Sequence, residues 1–547
     1  MYKIARFFGN PGVRTDIKQQ APIPCDRRQD DSKKGLEEII SKEIETDSES
    51  SLNSVLGQVH VEQSGDIITS IGFTGLRKGK MDKALDKLVE YAGSVFTFVL
   101  MWIIMIIWVI MGIVSSASSN WQVVMQDGQS IQCYIWDTLL MRQQLMSAHE
   151  HVCVCAELKS RLTIFKKLMY SIASSSEKTD SDIEETLYDD IPEVTADLQN
   201  KTWYDRLSSN IAHVIGSWYF IVIYWAGIFV WIGCGALYLD ANNDPPYTGE
   251  TTGSNPKKTR FGNMWQMYIN TATAVLMFFC TIFLQNLRAR HDRFVAKFIR
   301  EIFEIDLKID VLLRDEANDY FTESDVVCIK RQKRNRADFL IDWYGDVVGT
   351  GIGVLLAIAV LTAWIAVGHL MDYSDNWWLI IGTYTGLVGF FDGFVIRQNY
   401  FRIVNHEQEN YSSVLSEEYE LYSILGIQCP KNLSEIPVQA DKSVTYKISV
   451  FINKICSSKW SVLASLLIII GLISVASGMH WSQTGQLLAN TPTMIIEGFF
   501  LLILLQAHNW ADIERRAEIS LLHSRKTFML TYLEKKFKRK AIDINLN

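Results

Sequence analysis

The sequence lacks the short motifs of the commonest catalytic and energy-coupling proteins. It contains no G-x-x-x-x-G-K-[ST] phosphate-binding loop, so we do not expect ATP hydrolysis to supply energy. It also contains no H-E-x-x-H pair and no G-x-S-x-G elbow, which removes the commonest membrane protease and esterase signatures. We therefore expect neither an enzyme nor a resident catalytic cofactor.

The sequence also has few cysteines, and it has no hydrophobic run in its first 90 or so residues. The nine cysteines are scattered, and the one close pair, Cys153 and Cys155, lacks zinc-ribbon spacing and a matching second pair. We expect reduced thiols. No hydrophobic run precedes the one that begins near Gly93, and Asp, Glu and Ser dominate residues 29–51. This pattern predicts no secretory signal peptide and a disordered, acidic cytosolic tail over residues 1–70.

What the sequence does contain is a series of apolar stretches separated by charged segments. Runs of roughly 20 mostly apolar residues are long enough to cross ~30 Å of hydrocarbon. Four such runs are each followed, after a turn, by a second and more polar stretch; the pairs are 93–115 with 123–145, 213–237 with 264–287, 348–370 with 377–400, and 460–479 with 486–508. The sequence therefore predicts an all-α polytopic membrane protein with eight transmembrane helices in four tandem two-helix hairpins.

Basic residues divide the predicted loops into two groups. The segments between hairpins are basic, with Arg161, Lys166, Lys167, Arg288, Arg290, Arg293, Lys297, Lys330, Arg331, Lys333, Arg334, Arg397 and Arg402. The turns inside hairpins carry Lys257, Lys258 and Arg260 as their basic residues, and several acids: Asp127, Asp240, Asp244, Glu250, Asp372 and Asp375. By the positive-inside rule, the basic segments and both termini are cytosolic and the acidic turns face outward.

Alternate hairpins resemble one another: the second resembles the fourth, and the first resembles the third. Residues 266–285 and 486–506 share Gln-x-x-x-Asn-Thr-x-Thr, an apolar run and Gln, whereas 136–144 and 391–399 share an acid five residues before Arg-Gln. This predicts a parallel duplication A, B, A′, B′ about an axis along the membrane normal. The predicted domains are tail 1–70, hairpin A 71–150, linker 151–202, hairpin B 203–297, linker 298–338, hairpin A′ 339–410, linker 411–458, and hairpin B′ with a C-terminal helix 459–547.

Three carboxylates lie at membrane depth, all in second helices: Asp137, Asp392 and Glu497. An Asp there costs roughly 2.5 to 3.5 kcal/mol on insertion scales, so each acid needs a partner or a wet pathway. One interpretation is a cation site. The alternative is a set of structural contacts between helices, with Arg142 or Arg397 as the partner of an acid.

Further oxygen, sulfur and nitrogen donors complete the predicted metal site. Carboxylate and amide oxygens suit hard or borderline divalent cations, and a thioether shifts preference toward transition metals. The amide and thioether candidates in the second helices are Met141, Gln144, Asn270, Asn399 and Asn490. Beyond the membrane, His149, His291 and His406 each precede an acid and would bind metal at the cytosolic mouth, or serve only as charge features at helix ends.

Two other features have structural interpretations. The segments 81–93, 203–216 and 339–349 look amphipathic and are expected to lie along the inner membrane surface. The tryptophans at the hairpin turns are interpreted as interfacial belt anchors: Trp121, Trp265, Trp377, Trp378 and Trp481. The basic run from Lys330 to Arg336 is interpreted as a topological determinant beside anionic lipid, and no nucleic-acid partner is expected.

Several long segments resemble the fungal low-affinity iron(II) transporters, also called low-affinity iron permeases. They are NWQVVMQDGQSIQCYIWDTLLMRQQLMSAHE (120–150), PPYTGETTGSNP (245–256), NWWLIIGTYTGLVGFFDGF (376–394) and ANTPTMIIEGFFLLILLQAHNWAD (489–512). The resemblance implies a plasma-membrane importer of ferrous iron that also tolerates zinc, copper, manganese and cobalt. It supplies no ligand assignment, so the site residues rest on the physical argument.

The combined prediction is a low-affinity cation pathway lined by the second helices, with the first helices facing lipid. The inside-negative membrane potential would drive uptake, because two charges crossing ~100 mV gain roughly 4.6 kcal/mol. Two rival functions remain: a membrane metal sensor that binds without flux, and a membrane oxidoreductase built on a carboxylate-His pair. A parallel repeat fits both a monomeric pore and a homodimer.

Overall fold

The computed structural model describes residues 16–23, 60–61, 67–68, 91, 93–116, 118–175, 193–198, 202–236, 262–434 and 444–546. Most of the predicted tail and the turn that carries Asp240, Asp244 and Glu250 lie outside these residues. The described strands form two short antiparallel pairs, β1 (Ile17–Gln19) with β4 (Val327–Ile329) and β2 (His60–Val61) with β3 (Ile67–Ile68). Helix accounts for nearly all the rest.

Each of the four long described helices follows one or more short ones. In chain order they are α1 (Val95–Val114), α2 (Ser119–Ser175), α3 (Trp203–Ile215), α4 (Trp218–Gly235), α5 (Asn263–Ala317), α6 (Arg336–Val348), α7 (Gly351–Gly368), α8 (Asp375–Leu425), α9 (Lys431–Ser434), α10 (Val444–Cys456), α11 (Lys459–Gly478) and α12 (Gln483–Leu546). The apolar helices α1, α4, α7 and α11 are each followed by a long helix. Two of the amphipathic segments predicted from sequence are indeed helices, α3 and α6.

A hydroxyl N-cap starts each short apolar helix. Ser94, Ser217, Thr350 and Ser458 precede α1, α4, α7 and α11, and each side chain accepts a hydrogen bond from a backbone N–H in the first turn. Such caps satisfy donors that have no partner inside the helix. The chain can therefore turn into an apolar helix with few intervening residues.

Seven described helices are long and apolar enough to cross a membrane: α1, α4, α5, α7, α8, α11 and α12. The apolar windows of the four short helices are only 17% to 22% buried, whereas those of α5, α8 and α12 are 56% to 67% buried. The short helices thus lie outside, and the long helices form the interior of a multi-pass membrane protein. α2 does not reach the same apolarity, because Gln122, Gln126, Asp127 and Gln129 lie near its start.

The long helices form a closed ring. α2 packs chiefly against α8 and α5 chiefly against α12, while α8 also contacts α12 and α2 also contacts α5. The four helices contain 57, 55, 51 and 64 residues. At 1.5 Å per residue they are about 75 to 95 Å long, against ~30 Å of hydrocarbon. Most of their length therefore lies outside the membrane.

The extra length forms a second core, which we call the extramembrane bundle: residues 152–169 of α2, 294–313 of α5, 411–422 of α8 and 519–533 of α12. Its interior includes buried ion pairs, with Arg161 bonded to Glu157 at 2.9 Å and Lys526 bonded to Asp306 at 2.5 Å. The helices do not stop at residues 150, 297 or 410, where hairpins were predicted to end. Much of the predicted linker sequence is helical because each continuing helix has an apolar face that packs here.

Stacked tryptophans join three short helices to the long helices that follow them. The indole rings are nearly parallel, with centroids 4.0, 3.8 and 4.4 Å apart in the pairs Trp108 and Trp121, Trp231 and Trp265, and Trp364 and Trp377. In every pair each indole N–H donates to the backbone carbonyl of the other tryptophan. These tryptophans therefore hold each short helix against the long helix that follows it. The sequence had suggested only that they anchor the protein at the membrane interface.

Two of the tryptophan pairs pack against a glycine one turn further along the short helix. A Cβ on Gly112 would lie 2.5 Å from the Trp121 ring, and one on Gly368 would lie 2.9 Å from the Trp377 ring. In the fourth hairpin the third residue of the long helix is Gly485, where the other three long helices carry tryptophan. A close helix approach replaces the stacked rings there.

Candidate functional site

The three membrane-depth acids come from three of the four long helices: Asp137 from α2, Asp392 from α8 and Glu497 from α12. Their carboxylates are close enough to repel one another when charged. Asp392 is buried, while Asp137 and Glu497 remain partly accessible although they lie inside the ring. These two acids therefore border an internal space.

A stripe of glycines on α8 makes room for the acids. Gly382, Gly386, Gly389 and Gly393 repeat at the spacing of one helix face. A Cβ on Gly389 would collide with Oε1 of Glu497 and lie 3.7 Å from Oδ2 of Asp137. Carboxylates of two other helices therefore approach the α8 backbone closely, as small residues permit in membrane helix packing.

The same stripe continues toward the N-terminus of α8, past amide and hydroxyl groups. A Cβ on Gly386 would collide with Oδ1 of Asn490 and lie 3.1 Å from Oγ1 of Thr493. Asn490 Oδ1 has no hydrogen-bond partner among the described residues, and its Nδ2 donates to Met494 Sδ at 3.5 Å. An unsatisfied buried acceptor costs about 1 to 3 kcal/mol, so the position suits a cation or water.

Asp127 is an additional acid that the sequence placed in an outward-facing turn. That placement is wrong, because α2 begins at Ser119 and carries Asp127 inside the ring with only 4% of its surface exposed. A Cβ on Gly382 would lie 2.8 Å from its Oδ1, and its Oδ2 has no hydrogen-bond partner among the described residues. Ten residues of helix put Asp127 about 15 Å from Asp137, toward the N-terminus of α2.

We name the residues along this stripe the acid column: Asp127, Asn490, Thr493, Glu497 and Asp137. Four glycines at spacings of 4, 3 and 4 residues were the sequence signal that would have located it. The column has two carboxylates at one end and one carboxylate, Asp127, at the end toward the N-terminus of α2. Its oxygen donors suit divalent cations.

Sulfur groups lie beside the paired carboxylates of the column. Cys133 precedes Asp137 by one turn and interacts electrostatically with Asp137 and Glu497. Gln129 donates to its Sγ at 2.8 Å and contacts Met277 Sδ of α5 at 3.8 Å. A thiol was not among the sites predicted from sequence. The sequence could have indicated it, because Cys133 and Asp137 are four residues apart and so share one face of a helix.

Met141, Asn399 and Asp392 lie toward α6. Asn399 donates to Met141 Sδ at 3.5 Å, and a Cβ on Gly345 of α6 would lie 3.3 Å from that sulfur. Tyr344, also of α6, donates its hydroxyl proton to Asp392 Oδ1 at 2.6 Å. One of the three acids therefore has a hydrogen-bond donor on the neighbouring helix α6, which the sequence did not indicate.

The arginines proposed as structural partners of the acids have other contacts. Arg142 donates to the Gly349 carbonyl at 3.2 Å, and fully buried Arg397 donates to Asn453 Oδ1 of α10. Arg142 therefore links α2 to the turn between α6 and α7, and Arg397 links α8 to α10. The acids Asp137, Asp392 and Glu497 instead have one another as charged neighbours.

Asn270 and Gln144 occupy the remaining predicted positions. Asn270 of α5 is fully buried, and neither side-chain atom has a hydrogen-bond partner among the described residues. Gln144 is equally unpartnered in that part of the chain and lines a cavity of about 80 Å³ between the four long helices. We call this cavity the central vestibule. It lies where the ring passes into the extramembrane bundle.

The three predicted histidines do not share one cavity. His291 lines the central vestibule with Asp292 and Asp512, whereas His149 and His406 line a separate cavity between α2 and α8. The described residues contain no group of three or more His, Cys, Asp or Glu arranged to hold a metal. A single metal cluster at the predicted mouth is therefore absent from that part of the chain.

Hydrogen bonds already engage the acids of the vestibule. Gln143 donates to Asp292 at 2.8 Å, Tyr400 donates to Asp512 at 3.0 Å, and Arg515 pairs with Glu407 at 2.6 Å. The histidine in this cavity from α2 is His151, because two residues of helix turn it roughly 200° away from His149. Burial lowers the pKa of His151, with a smaller lowering by Arg515 opposed by Glu407, so its ring is neutral at neutral pH.

A closed ring of membrane helices that encloses acids, amides and sulfur groups is the construction of a membrane permease. The chain belongs to the low affinity iron permease family, and the sequence profile of that family matches residues 338–406 and 445–542. It is 52% identical to the low-affinity Fe(2+) transport protein of Saccharomyces cerevisiae over 98% of this chain and 99% of that one. It is 35% identical to the low-affinity iron/zinc ion transport protein of Schizosaccharomyces pombe, over 96% and 84% respectively. No solved structure matches.

Proposed function

We propose that this protein imports ferrous iron and zinc at low affinity through the acid column, with copper, manganese and cobalt as further substrates. The observation that carries the proposal is the meeting of Asp137 and Glu497 on the bare backbone of Gly389. Two carboxylates from different helices repel one another, and a passing divalent cation relieves that repulsion. The names of the two relatives support iron and zinc as substrates.

The route begins outside at Asp127 and passes Asn490 and Thr493 to the paired carboxylates. From there the ion moves past Gln144 into the central vestibule. Oxygen donors dominate this route, and such sites bind divalent transition metals more weakly than nitrogen and sulfur cages do. Cys133 and Met277 add soft donors, which favours iron and zinc over calcium and magnesium. Spaced weak sites also allow an ion to leave.

The finer architecture belongs to the same proposal. α2 is the eighth transmembrane helix. It can cross lipid because the polar side chains of its outer half point into the ring of long helices and away from the lipid. Three tryptophan pairs join a short helix to a long one, and each short apolar helix is followed by a long helix. Both features support four parallel hairpin repeats. The basic segments support an extramembrane bundle and both termini on the cytosolic side of the plasma membrane. With that orientation, the inside-negative potential drives uptake.

The test is radiolabelled iron(II) uptake into proteoliposomes that hold the intact chain under an imposed inside-negative potential. Asp137→Asn and Glu497→Gln should each abolish most protein-dependent uptake, and zinc in excess should compete. Asp372→Asn is the matched control, because Asp372 is an exposed acid in the turn between α7 and α8. Metal binding without any flux would instead make the protein a membrane metal sensor.

A further inference from the structure

The cavity that contains His149 and His406 has the wrong charge for a metal. It has a volume of about 100 Å³ and opens between α2 and α8, beside β1 and β4. Four cationic side chains line it, and so do several apolar ones: Lys330, Arg331, Arg334 and Arg402, with Ile17, Leu145, Ala148, Val152, Ile329 and Ile403. We call it the side cavity. A divalent cation would be repelled from this rim.

The local acids do not cancel this positive charge. Asp342 pairs with both Arg402, at 2.7 Å, and Arg334, at 3.4 Å, so it compensates one of the two. Glu407 is the acid in the lining itself, and Arg515 already neutralises it at 2.6 Å. Lys330 and Arg331 add two further positive charges on exposed side chains, and Asp16, which accepts a hydrogen bond from the Arg331 backbone N–H, offsets one of them. A net positive charge therefore remains at the cavity.

The positions of these cations are built into the fold. β1 pairs with β4 in the register Ile17 to Ile329, and Asp16 accepts a hydrogen bond from the Arg331 backbone N–H at 2.9 Å. Gln332 donates to the Arg402 carbonyl at 3.1 Å, which fastens the basic run to α8. A segment that served only as a topological signal would not need a strand pair to hold it at a cavity.

We infer that the side cavity binds a phosphate-bearing anion. Arginine and lysine bind phosphate oxygens through charge-assisted hydrogen bonds, and two imidazoles add donors in reach of the same space. The cavity lies where α2 and α8 leave the membrane, about 10 residues beyond Asp392 along α8. A phospholipid headgroup and a soluble phosphate share the required chemistry, and the apolar wall formed by Leu145, Val152 and Ile403 favours the lipid.

The experiment compares two double variants of the full-length protein, purified in detergent, by native mass spectrometry. Lys330→Gln with Arg331→Gln removes two cations from the side cavity. Lys333→Gln with Arg336→Gln removes the same charge from the same basic segment at positions outside the lining. The probes are phosphatidylinositol 4-phosphate, phosphatidylcholine, and inorganic phosphate, each added in a concentration series.

We expect phosphatidylinositol 4-phosphate to bind and phosphatidylcholine not to bind. The cavity variant should bind the anionic lipid roughly 30-fold more weakly, at about 1 kcal/mol per lost cation, and the matched control should stay within about threefold of wild type. Binding of inorganic phosphate with the same variant pattern would make a soluble phosphate the ligand of the same site. Equal losses in both variants, or no anion binding, would overturn the inference. Neither outcome depends on metal flux.

Discussion

Replacing Gly389 with alanine tests the acid column at its tightest point. The new Cβ would occupy the position of Glu497 Oε1, so the carboxylate must leave the backbone of α8. A displaced rotamer costs about 0.5 to 1.5 kcal/mol, and one lost charge-assisted contact to the cation costs about 1.5 to 3 kcal/mol. Together these predict a decrease of roughly 30-fold or more in iron(II) uptake at subsaturating iron.

Two alanine variants control for effects on folding and helix spacing. Gly393→Ala also crowds α8 against α12, but its Cβ would lie 3.1 Å from the Phe500 ring instead of a carboxylate. Gly471→Ala lies on α11 where nothing would contact the new Cβ within 4 Å. Both variants should retain most uptake when surface expression is matched by labelling.

A compensating change sharpens the assignment further. Glu497→Asp shortens the side chain by one methylene and should restore part of the uptake in the Gly389→Ala background, because the carboxylate then clears the new methyl group. The acid column as the ion route is refuted if Gly389→Ala transports iron like wild type. It is also refuted if Gly393→Ala loses as much uptake as Gly389→Ala, since helix separation would then explain both.

Three further predictions concern the surrounding structure. Tyr344→Phe removes the proton donor to Asp392, whose charge acts on Asp137 and Glu497 of the acid column. It should change the half-saturating iron concentration by about five- to tenfold in the same uptake assay, at a net 1 to 1.5 kcal/mol per hydrogen bond; an unchanged value would show that Asp392 does not influence the paired carboxylates. Trp364→Ala removes the ring stacked on Trp377 and should destabilise the protein by about 3 to 5 kcal/mol, seen as a lower melting temperature in detergent. Burial raises the pKa of Glu418 in the extramembrane bundle to about 8, so the folded state binds its proton more tightly than the unfolded state, and stability should fall as pH rises from about 5 to 8. Glu418→Gln should flatten that fall in melting temperature, and an unaltered pH dependence would contradict the assignment.

The membrane class could be predicted because hydrophobic length is a local property of the chain. The runs that begin near residues 93, 213, 348 and 460 correspond to α1, α4, α7 and α11, and three of their second stretches lie within α5, α8 and α12. The family was also readable, because the quoted segments are long and the relatives match nearly the whole chain.

The ends of the long helices could not be predicted in the same way. Beyond residue 150 the sequence of α2 becomes charged, which suggested a cytosolic linker. Val152, Leu158, Leu162 and Phe165 nevertheless share one face and pack into the extramembrane bundle. A helix of this kind is stable only when three partners cover that face, and the partners are distant in sequence.

By itself, the sequence determined which segments are apolar enough to cross a membrane and which loops carry positive charge. Tertiary structure alone decided which side chains meet. Asp127 was assigned to a turn and lies in the acid column, Asp392 accepts a hydrogen bond from Tyr344, and the three predicted histidines divide between two separate cavities. The reason is physical: the rotation of each helix about its axis is set by contacts such as the glycine stripe against α12, and such contacts join residues about 100 positions apart.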